Sequence, residues 1–129
     1  MQAETSVAVA GAWQEAANAG DVERVLALSD PEIALVGPRG TARGHGVLRE
    51  WLGRAGLRLT TRRLFARDGV VVAAQRGVWR SMETGEVVGE ADVASCFRVA
   101  DGRVVEAGRY DDLEVALGVG GLGEGDEVV

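Results

Sequence analysis

The chain has 129 residues, 14 basic and 20 acidic side chains, a formal net charge of −6 and 47% hydrophobic residues. These values fit one globular domain with one core and exclude a disordered chain. The acidic balance argues against nucleic-acid or anionic-membrane partners, and no apolar run approaches the roughly 18–20 residues of a membrane helix.

Met1-Gln-Ala-Glu-Thr has no basic stretch ahead of an apolar run, so no secretory leader is expected and the chain reads as cytoplasmic. Cys96 is the single cysteine and His45 the single histidine. They are too few for an internal disulfide or a zinc set, and no metal or cofactor is expected. Every basic residue is arginine, which excludes lysine Schiff-base chemistry.

In chain order, Val7, Ala10, Trp13 and Ala17 recur at helical spacing and predict a helix over Ser6 to Ala19, ended by Gly20. Asp21 is an N-cap for a short helix carrying Val22, Val25, Leu26 and Leu28, which Ser29-Asp30-Pro31 stops. Ile33 to Val36 predicts a strand, Gly37-Pro38-Arg39-Gly40 a turn, and Thr41 to Arg43 a short return. A third helix runs from His45 to Ala55 with Val47, Leu48, Trp51 and Leu52 on its apolar face.

The pattern then changes to strands over Leu57–Arg67, Val70–Ser81, Glu86–Val99 and Arg103–Asp111. Asp68-Gly69, Thr84-Gly85 and Asp101-Gly102 between them are hairpin signals. Helices followed by a four-strand antiparallel meander predict an α+β fold, with helices packed on one face of a curved sheet. Residues 1–117 form the expected single domain, and Gly118 to Val129 reads as a frayed, Gly- and acid-rich tail.

Several segments resemble the SnoaL-like branch of the nuclear-transport-factor-2-like superfamily. They are Trp13-Gln-Glu-Ala-Ala-Asn-Ala-Gly-Asp21, Leu26 through Leu35, Gly44-His-Gly-Val-Leu-Arg-Glu-Trp-Leu52, Phe97 through Glu106, and Tyr110-Asp-Asp-Leu113. The resemblance spans residues 6 to 117 and implies a cone: a bent sheet around three N-terminal helices, with a pocket inside. It also implies a homodimer through the outer sheet face. The family includes isomerases, hydrolases, cyclases and binders, so the fold does not choose a function.

The catalytic sets of two related groups are not preserved. The tyrosine, aspartate base and aspartic acid of ketosteroid isomerases align with Trp13, Val36 and Ser95, which supply no base. The arginine of limonene-epoxide hydrolases matches Arg76, but their two aspartates align with Val78 and Arg109. Asp111 and Asp92 remain as candidate carboxylates for a divergent cyclase, isomerase or hydrolase.

The same alignment, carried along the strands by alternation, predicts an inward face. It places Val72, Ala74, Arg76, Val78 and Arg80 inward on one strand, Ala91, Val93, Ser95 and Phe97 on the next, and Ala107, Arg109 and Asp111 on the last. Trp13, Leu48, Trp51 and Leu52 close the pocket. The expected ligand-binding set is Trp13, Trp51, Arg76, Val78, Ser95, Phe97 and Arg109. Two inward guanidinium groups point to an acidic ligand, the alternative being internal pairing with Asp111 or Glu50, or a place at the pocket mouth in water.

Trp79, Ala94, Cys96 and Tyr110 fall outward beside Gly77 and Gly108, an aromatic and small-residue patch suited to a dimer contact. His45 reads as a surface residue at a helix start. Arg54, Arg58, Arg62, Arg63 and Arg67 read as a solvated basic face. Three functions stand open: a small-molecule binder, a non-catalytic dimerisation or accessory module, and a divergent enzyme.

Overall fold

Helix α1 (Gln2–Ala19) buries Ala10, Trp13 and Ala16 and begins before the expected Ser6. This computed structural model describes residues 2–37, 39–53 and 56–128. The turn residue Pro38, the expected helix end at Arg54 and Ala55, and Arg54 of the basic run lie outside the described residues. Asp21 caps α2 (Val22–Ala27) by accepting the Arg24 backbone N–H, as its position predicts. Strand β1 (Ser29–Gly37) begins where the sequence reads only a helix stop, and pairs with β2 (Gly40–Arg43). Helix α3 (His45–Gly53) follows.

The meander is β3 (Leu57–Arg67), β4 (Val70–Arg80), β5 (Val87–Ala100) and β6 (Arg103–Tyr110). All three neighbouring pairs are antiparallel, and β1 joins parallel to β6. Asp68-Gly69 and Asp101-Gly102 have φ of 50° and 82°, and 53° and 75°. Positive φ at both central residues gives the tight turn whose twist matches the strands it joins.

Helices α1 to α3 fill one side of the sheet, where Trp13, Val25, Ile33, Leu48, Val71 and Phe97 meet. The other side is also covered. Helix α4 (Leu113–Gly120) lays Ala116 and Leu117 on Phe65, Val70, Val72, Ala94 and Cys96. Asp112 caps α4, and Gly121 ends it at φ 71°. Contact with the sheet is close: a Cβ on Gly120 would lie 2.9 Å from Val70 Cγ1 and 3.3 Å from Cys96 Sγ.

The segment read as a frayed tail carries structure. Residues 118–120 finish α4, Glu124–Asp126 make one 3-10 turn, and β7 (Glu127–Val128) pairs with Leu64 and Phe65 of β3. Arg63 holds Glu124 and Glu127 at 3.0 and 2.9 Å, and Arg67 holds Asp126 at 3.6 Å. Glycine-rich composition hides the apolar set Leu113, Ala116 and Leu117, whose spacing is helical.

Two corrections concern the sheet. In β4, Gln75 pairs with Val93 and Arg76 with Asp92. Val71, Ala73, Gln75 and Gly77 therefore face the helices, while Val72, Ala74, Arg76 and Val78 lie on the outer side. Arg80 is exposed and donates to the Gly85 carbonyl of the hairpin loop. Each of these outer positions was expected inside. Strand β4 is apolar at both parities because both sheet faces are covered, so alternation cannot reveal its register. On β5 and β6 the expected parity holds: Ser95, Phe97, Ala107 and Arg109 share the helix side.

The second correction concerns the expected dimer patch. Ala94 and Cys96 are 0% and 2% exposed beneath α4, and Tyr110 packs in the same cluster. Trp79 shares the parity of Gly77 on the helix side, with its ring against Gly77 and near Leu59. That face is occupied by the chain's own helix.

Candidate functional site

The site is built from a break in the rhythm of β3. Thr61 pairs with Gln75 but Arg63 pairs with Ala74, so Arg62 is an extra residue. A bulge of this kind shifts side-chain parity. Leu59 and Thr61 before it, and Leu64 and Ala66 after it, then face the helix side, while Phe65 turns outward.

Helix α1 crosses this stretch with Val7, Gly11, Gln14 and Asn18, a stripe at helical spacing. Gly11 has open space where a Cβ would stand. The result is an open groove of about 390 Å³, walled by this stripe and by Leu59, Thr61, Leu64, Val71, Ala73, Gln75 and Phe97. Glu15 and Arg58 are exposed residues of its lining.

One end of the groove is pinned by Asn18. Its Nδ2 donates to the Leu59 carbonyl at 2.8 Å, and its Oδ1 accepts the Leu59 N–H at 3.0 Å. The side-chain amide thus takes the place of a neighbouring strand on the open edge of β3, beside the two residues of β7 further along. From there a chain of neutral groups runs inward. Gln14 Nε2 donates to Asn18 Oδ1 at 3.4 Å, and Gln75 Nε2 donates to Gln14 Oε1 at 3.4 Å and to Thr61 Oγ1 at 3.3 Å. Ser95 Oγ donates to Gln75 Oε1 at 2.7 Å. Gln75 and Ser95 are 3% and 5% exposed, and each has its partner, as buried polar groups require.

Of the expected ligand-binding residues, only Phe97 lines this groove. Ser95 stands behind Gln75 with its proton committed. Trp13, Trp51 and Arg109 form a packed aromatic group: Trp13 lies 5.5 Å from Phe97 edge-on and 6.4 Å from Trp51, and the Arg109 guanidinium sits 5.8 Å from the Trp51 ring centroid. Burial pulls Arg109 below its ordinary pKa, with the charge of Asp111 opposing. Trp13 Nε1 donates to Ser29 Oγ at 2.9 Å, and Ser29 Oγ donates to the Val25 carbonyl. His45 Nε2 reaches the Ser29 carbonyl at 3.1 Å, so this helix-start residue is half-buried rather than free on the surface.

Arg76 and Val78 lie on the opposite sheet face. Arg76 is paired there with Asp92 at 3.2 Å and Glu90 at 3.7 Å. The expected pair of inward arginines is therefore not assembled, and Asp92 is a surface partner of Arg76. Asp111 is exposed just beyond β6. Gln14, Asn18, Thr61 and Gln75 were missed. The available signals were a glutamine inside the apolar run Val70–Trp79 and the chain's single asparagine at helix spacing from Gln14. Among the described residues, no cluster of three or more His, Cys, Asp or Glu has metal-binding geometry.

A curved sheet wrapped around N-terminal helices with a groove on its helix side defines a cone-type α+β domain. The family model of the SnoaL-like domain matches residues 10–107, and the chain belongs to that family. A candidate SnoaL-like polyketide cyclase from Jannaschia sp. CCS1 is similar at 14% identity and TM-score 0.74, over 90% of this chain and 91% of that one. TerC, co-crystallised with polyporic acid, is 21% identical with TM-score 0.73, over 90% and 97%. A candidate polyketide cyclase from Xanthomonas campestris pv. campestris is 21% identical with TM-score 0.71, over 89% and 96%. At these identities the likeness is one of fold. No curated protein matches the sequence. No helix among the described residues is long and apolar enough to cross a membrane.

Proposed function

We propose that this SnoaL-like domain binds a small, largely apolar organic molecule in the groove between α1 and the β3–β4 edge. The observation that carries this reading is the groove itself: about 390 Å³, apolar on Val7, Leu64, Val71 and Phe97, with a fixed row of amides and a hydroxyl along one wall. That volume and that mixture of lining are those of small-molecule sites, commonly about 300–1,000 Å³. The co-crystallisation of TerC with polyporic acid supports small-molecule binding within this fold.

The acidic ligand implied by two inward arginines gives way, because Arg76 is on the far face. Binding is favoured over acid–base turnover by Asp92 and Asp111, which both stand outside the groove. Among the described residues its one lining carboxylate, Glu15, is exposed.

Titration of prodan, a neutral fluorescent naphthyl ketone, tests the proposal. Wild type should shift its emission to the blue. Gly11→Phe should weaken binding at least tenfold with little change in stability, since a Cβ there meets nothing and phenylalanine is a better helix residue than glycine by only about a few tenths of a kcal/mol. Equal binding by wild type and G11F would refute the groove as the site.

A further inference from the structure

We infer that residues 123–128 form an ionic latch that gates the groove: β7 closes the β3 edge at Leu64, and Arg63 holds it there from the opposite sheet face. The inference rests on the groove reading and adds the regulation of its entrance. Its warrant is the way one bulge sends two neighbouring residues to opposite faces.

Past the extra residue Arg62, Arg63 pairs with Ala74 and Leu64 with Ala73. Ala73 and Leu64 wall the groove, so Arg63 stands on the outer face. Strand β7 pairs Val128 with Leu64 and Glu127 with Phe65. Residues directly opposite in a ladder share a face. Val128 therefore extends the groove side of the sheet beyond Leu64, while Glu127 lies outside with Phe65. There the Arg63 guanidinium, 4.9 Å from the Phe65 ring centroid, grips Glu127 as a fork: Nε donates at 3.0 Å and Nη2 at 2.9 Å. Nη2 also donates to Glu124 at 3.0 Å. The contact that fixes the strand is on one face, and the wall it fixes is on the other.

Two attachments cover the β3 edge along the groove. Asn18 occupies it at Leu59, and β7 occupies it at Leu64 and Phe65. Release of β7 therefore lengthens the open side of the groove and takes Val128 away from its wall.

The latch releases before the helix next to it. Helix α4 buries Ala116 and Leu117 and meets the sheet closely at Gly120, and Leu122 still packs in the same cluster. Beyond Leu122, Gly123 and Gly125 supply the swivel. Residues 123–128 bury nothing fully, and Asp126 alone among them is half-buried. What holds them is a two-residue ladder and exposed ion pairs, Arg63 with Glu124 and Glu127, and Arg67 with Asp126 at 3.6 Å. Pairs of that kind contribute little each and are screened by salt. A segment with few buried contacts opens locally while the rest of the domain stays folded, so ionic strength sets how often this end of the groove is open.

The test follows prodan binding by stopped flow on the whole protein, with backbone NMR relaxation of Glu127 and Val128 as a readout that needs no ligand. Arg63→Glu should mobilise Glu127 and Val128 and leave Ala116 and Leu117 rigid. It should raise the association and dissociation rates of prodan together by about threefold or more, the contribution of one or two exposed ion pairs. Kd should change less than either rate, the mark of a gate and not of a lost ligand contact. The double variant R63E/E127R restores a pair of opposite charges and should bring both rates back toward wild type. High salt should speed wild type and leave R63E unchanged.

Wild-type rates in an R63E protein whose Glu127 and Val128 are mobile would overturn the gate. Rigid Glu127 and Val128 in R63E would overturn the latch. A rise in the dissociation rate alone would overturn both in favour of a direct contact between Arg63 and ligand. If prodan moved neither the Gly11 nor the Phe97 amide of wild type, the groove reading itself would fall and the gate with it, whatever the relaxation of β7.

Discussion

Asn18 is the residue whose replacement most sharply tests the site's construction. Its amide makes two hydrogen bonds, of 2.8 and 3.0 Å, to the backbone of Leu59, which is 7% exposed. Asn18→Ala removes both partners. Each bond contributes about 1 kcal/mol net, and a buried group left unpaired costs about 1–3 kcal/mol. Water can reach part of this open edge, so the expected loss is roughly 2 kcal/mol, or roughly 6–10 °C in Tm for a domain of this size. Asn18→Asp should be worse at pH 7. It keeps an acceptor for the Leu59 N–H but sets a carboxylate oxygen against the Leu59 carbonyl. Lowering the pH toward the ordinary aspartate pKa of about 3.9 protonates that oxygen and restores a donor, so the gap between N18D and N18A should close. Urea unfolding of the three proteins across pH 4.5–8 measures this. A loss below about 0.5 kcal/mol for N18A, the level of an ordinary surface change, would show that Asn18 is not the pin.

Gly120→Val should lift α4, because even a Cβ there would lie 2.9 Å from Val70 Cγ1. The expected cost is about 1–3 kcal/mol, with Cys96 becoming reactive to a thiol reagent that it resists in the wild type. An unreactive Cys96 in a destabilised variant would contradict close helix–sheet packing as the cause. Burial also raises the pKa of Cys96 and of Tyr110. The unfolded chain then loses these protons at lower pH than the folded one, so stability should be fully present below about pH 8.5 and fall as pH rises above it. Cys96→Ala should flatten the first part of that fall, and a urea midpoint that stays level or rises to pH 10 would contradict it.

The elements of the meander were legible because their turns are spelled in local chemistry: Asp68-Gly69 and Asp101-Gly102 adopt the positive φ pair that such dipeptides favour. Strand β3 runs from Leu57 to Arg67 as its sequence predicts. What a strand buries was less legible. Along β4, valine and alanine occupy both faces, and only pairing with β5 reveals that Gln75 rather than Arg76 faces the helices. The match of Arg76 to a hydrolase arginine drew the register one residue out of phase. Strand β5 escaped the same error, since Ser95 and Phe97 face inward as predicted and Cys96 outward. The Arg62 bulge leaves no local mark either, yet it brings Leu59, Thr61 and Leu64 to one face and so makes the groove. Helix α4 was concealed by its glycines, and with it the reason that Ala94 and Cys96 are small: a helix of the same chain lies on them.

The proposed binding site puts the ligand on the β3–β4 side of α1, and not beside Trp51 and Arg109. Mapping amide and indole shifts of the labelled protein on addition of prodan tests it most directly. The account predicts the largest changes at Gly11, Gln14, Thr61, Ala73 and Phe97, with the Trp51 indole and the Arg109 amide little moved. Changes centred on Trp51 and Arg109, with Gly11 and Thr61 still, would contradict it and return the site to the aromatic side of the cone.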